Sequence, residues 1–126
     1  MRRTLHRLRR LRCCAPPPRV AGLVAQTGGG SGEVFIGWDP LPPSDRIAFY
    51  RVYRRVQTGV WRQLASVTDA AMDASMPGKV VMLDFEGDFP GHSDFGPSGE
   101  RTYVVSAVGR SGLEGPWSLT VVGTPP

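Results

Sequence analysis

Ile47-Ala-Phe-Tyr-Arg-Val-Tyr-Arg-Arg55 is the stretch whose reading decides the fold of this chain. It holds three aromatic and two β-branched residues and neither Gly nor Pro, the composition favoured on a pleated, half-buried strand. Side chains alternate across a strand, so Tyr50 and Val52 are expected on one face. Phe49, Arg51, Tyr53 and Arg55 then fall on the other. The inward face is apolar, and the outward face is aromatic and basic.

Outward from this strand, short apolar runs recur between turn residues. Residues 20–25, 33–38, 60–67, 79–85, 102–108 and 119–122 read as six further strands. Gly28-Gly-Gly-Ser-Gly32, Asp39-Pro-Leu-Pro-Pro-Ser-Asp45 and Thr58-Gly59 punctuate them as turns. Val34, Ile36 and Trp38 share one face of the second run, and Trp61 and Leu64 fall in the fourth. Seven short strands over residues 20–126 predict an all-β, seven-stranded sandwich, its two sheets about 10 Å apart.

Residues 1–19 are different in kind. They carry seven Arg and no acid, whereas the remainder has eight Lys or Arg against eleven Asp or Glu, a balance of −3. The domain organisation is therefore a basic N-terminal arm, 1–19, ahead of a mildly acidic sandwich, 20–126. Pro16-Pro-Pro18 stops any helix begun in the arm. Arg2, Arg3, Arg7, Arg9, Arg10 and Arg12 suit an anionic partner: an acidic protein surface, nucleic acid or lipid phosphate. The arm also resembles a mitochondrial presequence, being Arg-rich and acid-free with Leu5, Leu8 and Leu11 along one side. The preponderance of Arg over Lys is read as a genome-composition effect. Cys13 and Cys14 are adjacent and both lie in the arm, so the sandwich is expected to stand on packing without a disulfide. No apolar run has the length of a transmembrane span, and no apolar segment of a secretion signal is found.

Particular residues resemble the fibronectin type III family. They are Val20-Ala-Gly-Leu23, Trp38-Asp-Pro40, Tyr50-Arg-Val52, Tyr103-Val-Val-Ser-Ala107 and Gly112-Leu-Glu-Gly-Pro-Trp-Ser118. The resemblance runs from Pro18 to Pro126 and implies core roles for Trp38, Tyr50 and Tyr103. Where the family has Leu-x-Pro, this chain has Phe95-Gly-Pro97 with two extra residues before Tyr103, so a longer corner is expected there. The resemblance also implies function: a non-catalytic adhesive, spacer or docking unit. A small subunit of a larger assembly, such as a phage virion or tail, is the context expected. The alternative is a carbohydrate-binding or spacer accessory domain of a secreted or cell-surface protein.

Residues with catalytic chemistry are few. His6 and His92 are the two histidines, and the consecutive loop residues His92, Ser93 and Asp94 cannot aim at one another as a triad must. Neither catalysis nor a cofactor is expected. Asp84, Glu86, Asp88, His92 and Asp94 form an acidic, Gly-rich stretch whose oxygens would suit calcium, but its spacing matches no EF-hand and a solvated loop is the preferred reading. The strongest site is instead the outward face of the central strand and the sixth strand: Phe49, Arg51, Tyr53, Arg55, Val104 and Val108. Aromatics and Arg are enriched at protein interfaces, so other protein subunits are the expected partners. With no further layer foreseen above it, this face is predicted to need a partner chain or the arm as cover.

Overall fold

The computed structural model describes residues 15–29, 32–56, 59–68, 75–85 and 100–124. The arm residues Arg2, Arg3, Arg7, Arg9, Arg10 and Arg12 lie outside the described residues, as do Glu86, Asp88, His92, Asp94 and Pro97. Each of the seven predicted segments overlaps a strand: β1 (Val24–Thr27), β2 (Glu33–Trp38), β3 (Ile47–Val56), β4 (Arg62–Val67), β5 (Val80–Phe85), β6 (Arg101–Gly109) and β7 (Val121–Gly123). They form two antiparallel sheets, one ordered β1-β2-β5 and the other β4-β3-β6-β7. The chain is an all-β sandwich, and β3 and β6 form the middle of its larger sheet.

The core lies where the alternation puts it. Val34, Ile36 and Trp38 of β2 join Tyr50 and Val52 of β3 and Tyr103, Val105 and Ala107 of β6 in one buried cluster, with Val20 and Val80. The rings of Trp38 and Tyr50 meet edge to face, their centroids 5.5 Å apart at 64°. Tyr50 keeps its polar tip satisfied in this setting, its hydroxyl accepting from the Leu41 N–H at 2.9 Å.

Strand boundaries move for identifiable reasons. β1 begins at Val24 instead of residue 20 because Gly22 takes a left-handed turn, φ +70°, close against the Asp39 carboxylate. Lys79 fastens this corner, donating to the Gly22 carbonyl at 2.8 Å and to Asp39 at 2.9 Å. In β3 the register with β6 shifts between Ile47 and Phe49, leaving Ala48 as an extra residue. That bulge resets the phase, so Ile47 packs on the core although it is an odd position like Phe49. β7 starts two residues later than predicted because the Ser118 side chain enters the ladder. Its hydroxyl accepts from the Val105 N–H at 2.9 Å while its own N–H donates to the Val105 carbonyl, and Leu119 beyond it is exposed.

The folded body also reaches further back than residue 20. Pro17 is buried, and a Cβ added at Gly115 would lie 2.3 Å from the Pro17 carbonyl oxygen. Residues 17–19, expected in the arm, therefore lie on the sandwich. Trp38 is the largest fully buried side chain. We expect Trp38→Ala to cost about 3–5 kcal/mol, read as a lowered urea midpoint at unchanged slope. An unmoved midpoint would remove Trp38 from the core.

Candidate interaction site

The outward face of β3 and β6 carries the residues that the alternation singled out, and the chain itself covers part of it. After β6 the backbone turns at residues 109–112 and returns along the free side of that strand. Glu114 bridges to Val108, and the N–H groups of Gly115 and Ser118 donate to the carbonyls of Ala107 and Val105. β6 thus lies between β3 and residues 114–118, and side chains that meet from these two sides roof its outward positions. Val104 and Val108 are only 1% and 2% exposed as a result. The expectation that this face lacks a further layer is corrected: the connection from β6 to β7 supplies one.

Two sets of contacts make the roof. In the first, Glu114 is the hub: Arg51 Nη1 donates to its Oε1 at 2.8 Å, and the hydroxyls of Tyr53 (2.6 Å) and Ser106 donate to its Oε2. Burial alone would raise the pKa of Glu114, but the hydroxyls of Ser106 and Tyr53 together with Arg51 outweigh it and hold the carboxyl below its ordinary range. Burial, and then the neighbouring carboxylate, pushes the Tyr53 phenol the other way, so it stays a donor. The second set is a row of rings. Tyr53 stacks on Trp117 at 4.8 Å, Trp117 meets Trp61 edge-on at 5.3 Å, and the Arg55 guanidinium lies 4.9 Å from the Trp61 ring centre. Arg51 similarly sits 5.6 Å from the ring centre of Phe49.

The predicted Phe49, Arg51, Tyr53 and Arg55 are therefore brought together, all half-buried. The reading did not assign Glu114, Trp117 or Ser118 to this face. Trp61, expected within the fourth strand, precedes β4, which begins at Arg62; its ring is committed to Trp117 and Arg55. For Glu114, Trp117 and Ser118 the sequence signal was the stretch Gly112-Leu-Glu-Gly-Pro-Trp-Ser118 that carries part of the resemblance, and it lacks the alternation of a strand.

Asp84, the first member of the acidic stretch, has a different position from the one a loop ligand would take. It faces inward from β5 and is 4% exposed. Arg54 shares the parity of Tyr50 and Val52 on β3, so the inward face of that strand is not wholly apolar. Arg54 Nη1 donates to both oxygens of Asp84, at 2.8 and 3.0 Å. Arg101 approaches the same carboxylate at 3.4 Å while donating to the Gly32 carbonyl at 2.8 Å, and the Tyr103 hydroxyl donates to Asp84 as well. Burial and the Asp84 charge raise the Tyr103 pKa, which keeps that proton in place. With two guanidinium groups and a phenol already on it, this carboxylate is not free to ligate calcium. No group of three metal-ligating side chains occurs among the described residues.

Comparison with known proteins bears on the fold. No protein-family profile matches the chain, and no curated protein matches it. Among solved structures it is similar to the crystal structure of a β-1,2-glucanase from Parabacteroides distasonis, with a TM-score of 0.55 and 24% identity. The match covers 88% of this chain and 14% of that one, so the chain spans a small part of the enzyme's length. At this identity the likeness concerns architecture. Fold and face together define the class: an antiparallel β-sandwich with an interlocked aromatic and arginine surface.

Two variants test these clusters. Asp84→Asn removes the one negative charge that two buried guanidinium groups share and should cost about 3–5 kcal/mol in a urea titration. A loss below 1 kcal/mol, roughly that of an exposed pair, would contradict the burial described. For Glu114, a folded pKa below the unfolded one means its contribution is full above the ordinary glutamate range and is lost as pH falls through the folded value. The stability gap between the parent and Glu114→Gln should therefore close on acidification below about pH 4.5, the ordinary value. A gap independent of pH would show that the carboxylate charge is not what ties the face together.

Proposed function

We propose that this chain is a non-catalytic interaction module resembling a fibronectin type III domain, which joins other protein subunits in a larger assembly through the outer face of β3 and β6. The observation carrying this reading is the row Tyr53, Trp117, Trp61 and Arg55, fixed by internal contacts while Trp117 remains 39% exposed. Rings and guanidinium groups that are already immobilised lose little side-chain freedom when a partner covers them, which favours their use as anchors. The placement of β4 beside β3 supports the resemblance over a constant-type immunoglobulin arrangement, whose fourth strand belongs to the other sheet.

A second reading, a carbohydrate-binding or spacer module, is favoured by one observation. A similar solved structure is a glucanase, of which this chain matches a 14% share. Exposed indole rings also stack on sugar faces, so the same row would serve. A photo-crosslinking residue at position 60 of the full chain, an exposed valine beside Trp61, separates the two readings in the native host. One discrete protein adduct is expected, with none from position 83, an exposed leucine of the smaller sheet. With that partner identified, Trp117→Ala should weaken binding roughly 30-fold, the equivalent of an anchor worth about 2 kcal/mol. Equal crosslinking from both positions would refute the face as the interface. Retardation in gels containing soluble β-glucan, abolished by Trp117→Ala, would establish the second reading instead.

A further inference from the structure

A separate site lies at the end of the sandwich where residues 39–46 and 109–112 turn and the linker to the arm arrives. A cavity of about 650 Å³ opens there, lined by Pro16, Ser44, Asp45, Arg46, Arg110 and Ser111 among others. None of its lining residues belongs to the aromatic row, and the inference below is independent of the reading of that face. We propose that this cavity is a phosphate-binding site for nucleic acid, continuing the positive charge of the arm onto the folded body.

The backbone presents the two arginines together. Arg46 takes a left-handed conformation, φ +50°, which an unbranched side chain adopts only at a cost. Two hydrogen bonds hold it: its N–H donates to the Pro43 carbonyl at 3.1 Å, and its carbonyl accepts from the Arg110 N–H at 3.0 Å. The two side chains thus start from directly bonded backbones, and both residues are exposed. Asp45 is the one carboxylate in the lining, so the rim keeps a net positive charge. Ser44 and Ser111 add hydroxyl donors, and Arg and Ser are side chains that commonly contact phosphate oxygens. The volume is that of an ordinary small-ligand site, large enough for a sugar-phosphate unit.

The linker connects this cavity to the arm. Pro17 is buried against Gly115 and lies 3.5 Å from a Cβ built on Gly109, so the chain leaves the body at the cavity itself. Arg12 is three residues from Ala15, within about 10 Å even at full extension. Arg46 and Arg110 therefore stand where the folded body meets the segment whose sequence carries Arg2, Arg3, Arg7, Arg9, Arg10 and Arg12, and residues 1–19 contain no acid to offset them. A cation-rich sequence adjoining a built cavity complements a linear, evenly spaced anion. A phosphodiester backbone has that form, whereas the carboxylates of an acidic protein are set by its own surface. None of these groups reads bases, so binding should be insensitive to sequence and steeply sensitive to salt.

Fluorescence anisotropy of the full chain with two labelled DNA duplexes of unrelated sequence tests this across a salt series. Arg46→Asn with Arg110→Gln removes both cavity cations, and Asn tolerates the left-handed backbone. Two lost phosphate contacts should flatten the log–log salt slope by about 1.8 and weaken binding roughly 60-fold near 0.1 M salt. Arg110→Gln alone, at an exposed position, should flatten the slope by about 0.9 and guards against misfolding of the double variant. The proposal is overturned if the parent does not bind duplex, if it prefers one sequence, or if the cavity variants leave the slope unchanged while arm Arg→Gln variants remove it. Poly-glutamate competing as well as DNA at equal charge, with the same loss in the cavity variants, would reassign the site to an acidic protein.

Discussion

The whole outward face depends on how residues 114–118 are held beside β6. A sandwich of this size has two broad outer surfaces, and a return strand along one edge normally covers neither. Here the strand is split. Its first half is pinned by Gly115 and Ser118 to the carbonyls of Ala107 and Val105, and its second half, β7, pairs with Arg101 to Tyr103. The Ser118 hydroxyl takes a position that backbone would otherwise fill, and this irregularity lets Glu114 and Trp117 reach toward β3. Without Glu114, the hydroxyls of Tyr53 and Ser106 would have no carboxylate to donate to.

A second constraint acts from inside. Arg54, Asp84, Arg101 and Tyr103 place charge where apolar residues would pack with less risk, since desolvating such groups offsets much of their attraction. What the arrangement fixes is register. Arg54 meets Asp84 only if β3 and β5, in opposite sheets, hold their present alignment; a slip of one residue in either strand would turn its group to the other face. The apolar core alone is less exacting, because Val34, Ile36, Val52 and Val105 are similar in shape. The buried charges penalise the alternatives that the valines tolerate.

The strand count and the two-faced character of β3 were legible in the sequence because each rests on local alternation, and the buried trio Trp38, Tyr50 and Tyr103 was what the resemblance implied. Boundaries were less so. Gly22 ends one extended run through a backbone dihedral, and Ala48 shifts a register through a bulge, neither of which residue type alone dictates. Arg54 was passed over on the inward face because its burial depends on a partner 30 residues away in the other sheet. The roof was missed for the same reason. Glu114 and Trp117 sit in a stretch without periodicity, and their role exists only once tertiary structure brings them over β6.

Both candidate surfaces meet the same short stretch of chain, and they meet it through different atoms. Glu114 holds the outward face through its side chain, while Gly115, the next residue, admits Pro17 by having none. A side chain at Gly115 would displace the linker and with it the wall of the cavity at that end. Arg51, Tyr53 and Ser106 would still grip the Glu114 carboxylate from β3 and β6, elements that the linker does not touch through Gly115. The two surfaces thus share a segment of backbone without sharing the contacts that hold them. A fold built this way can accommodate one partner along its face and another at its end, because filling either site need not rearrange the side chains of the other.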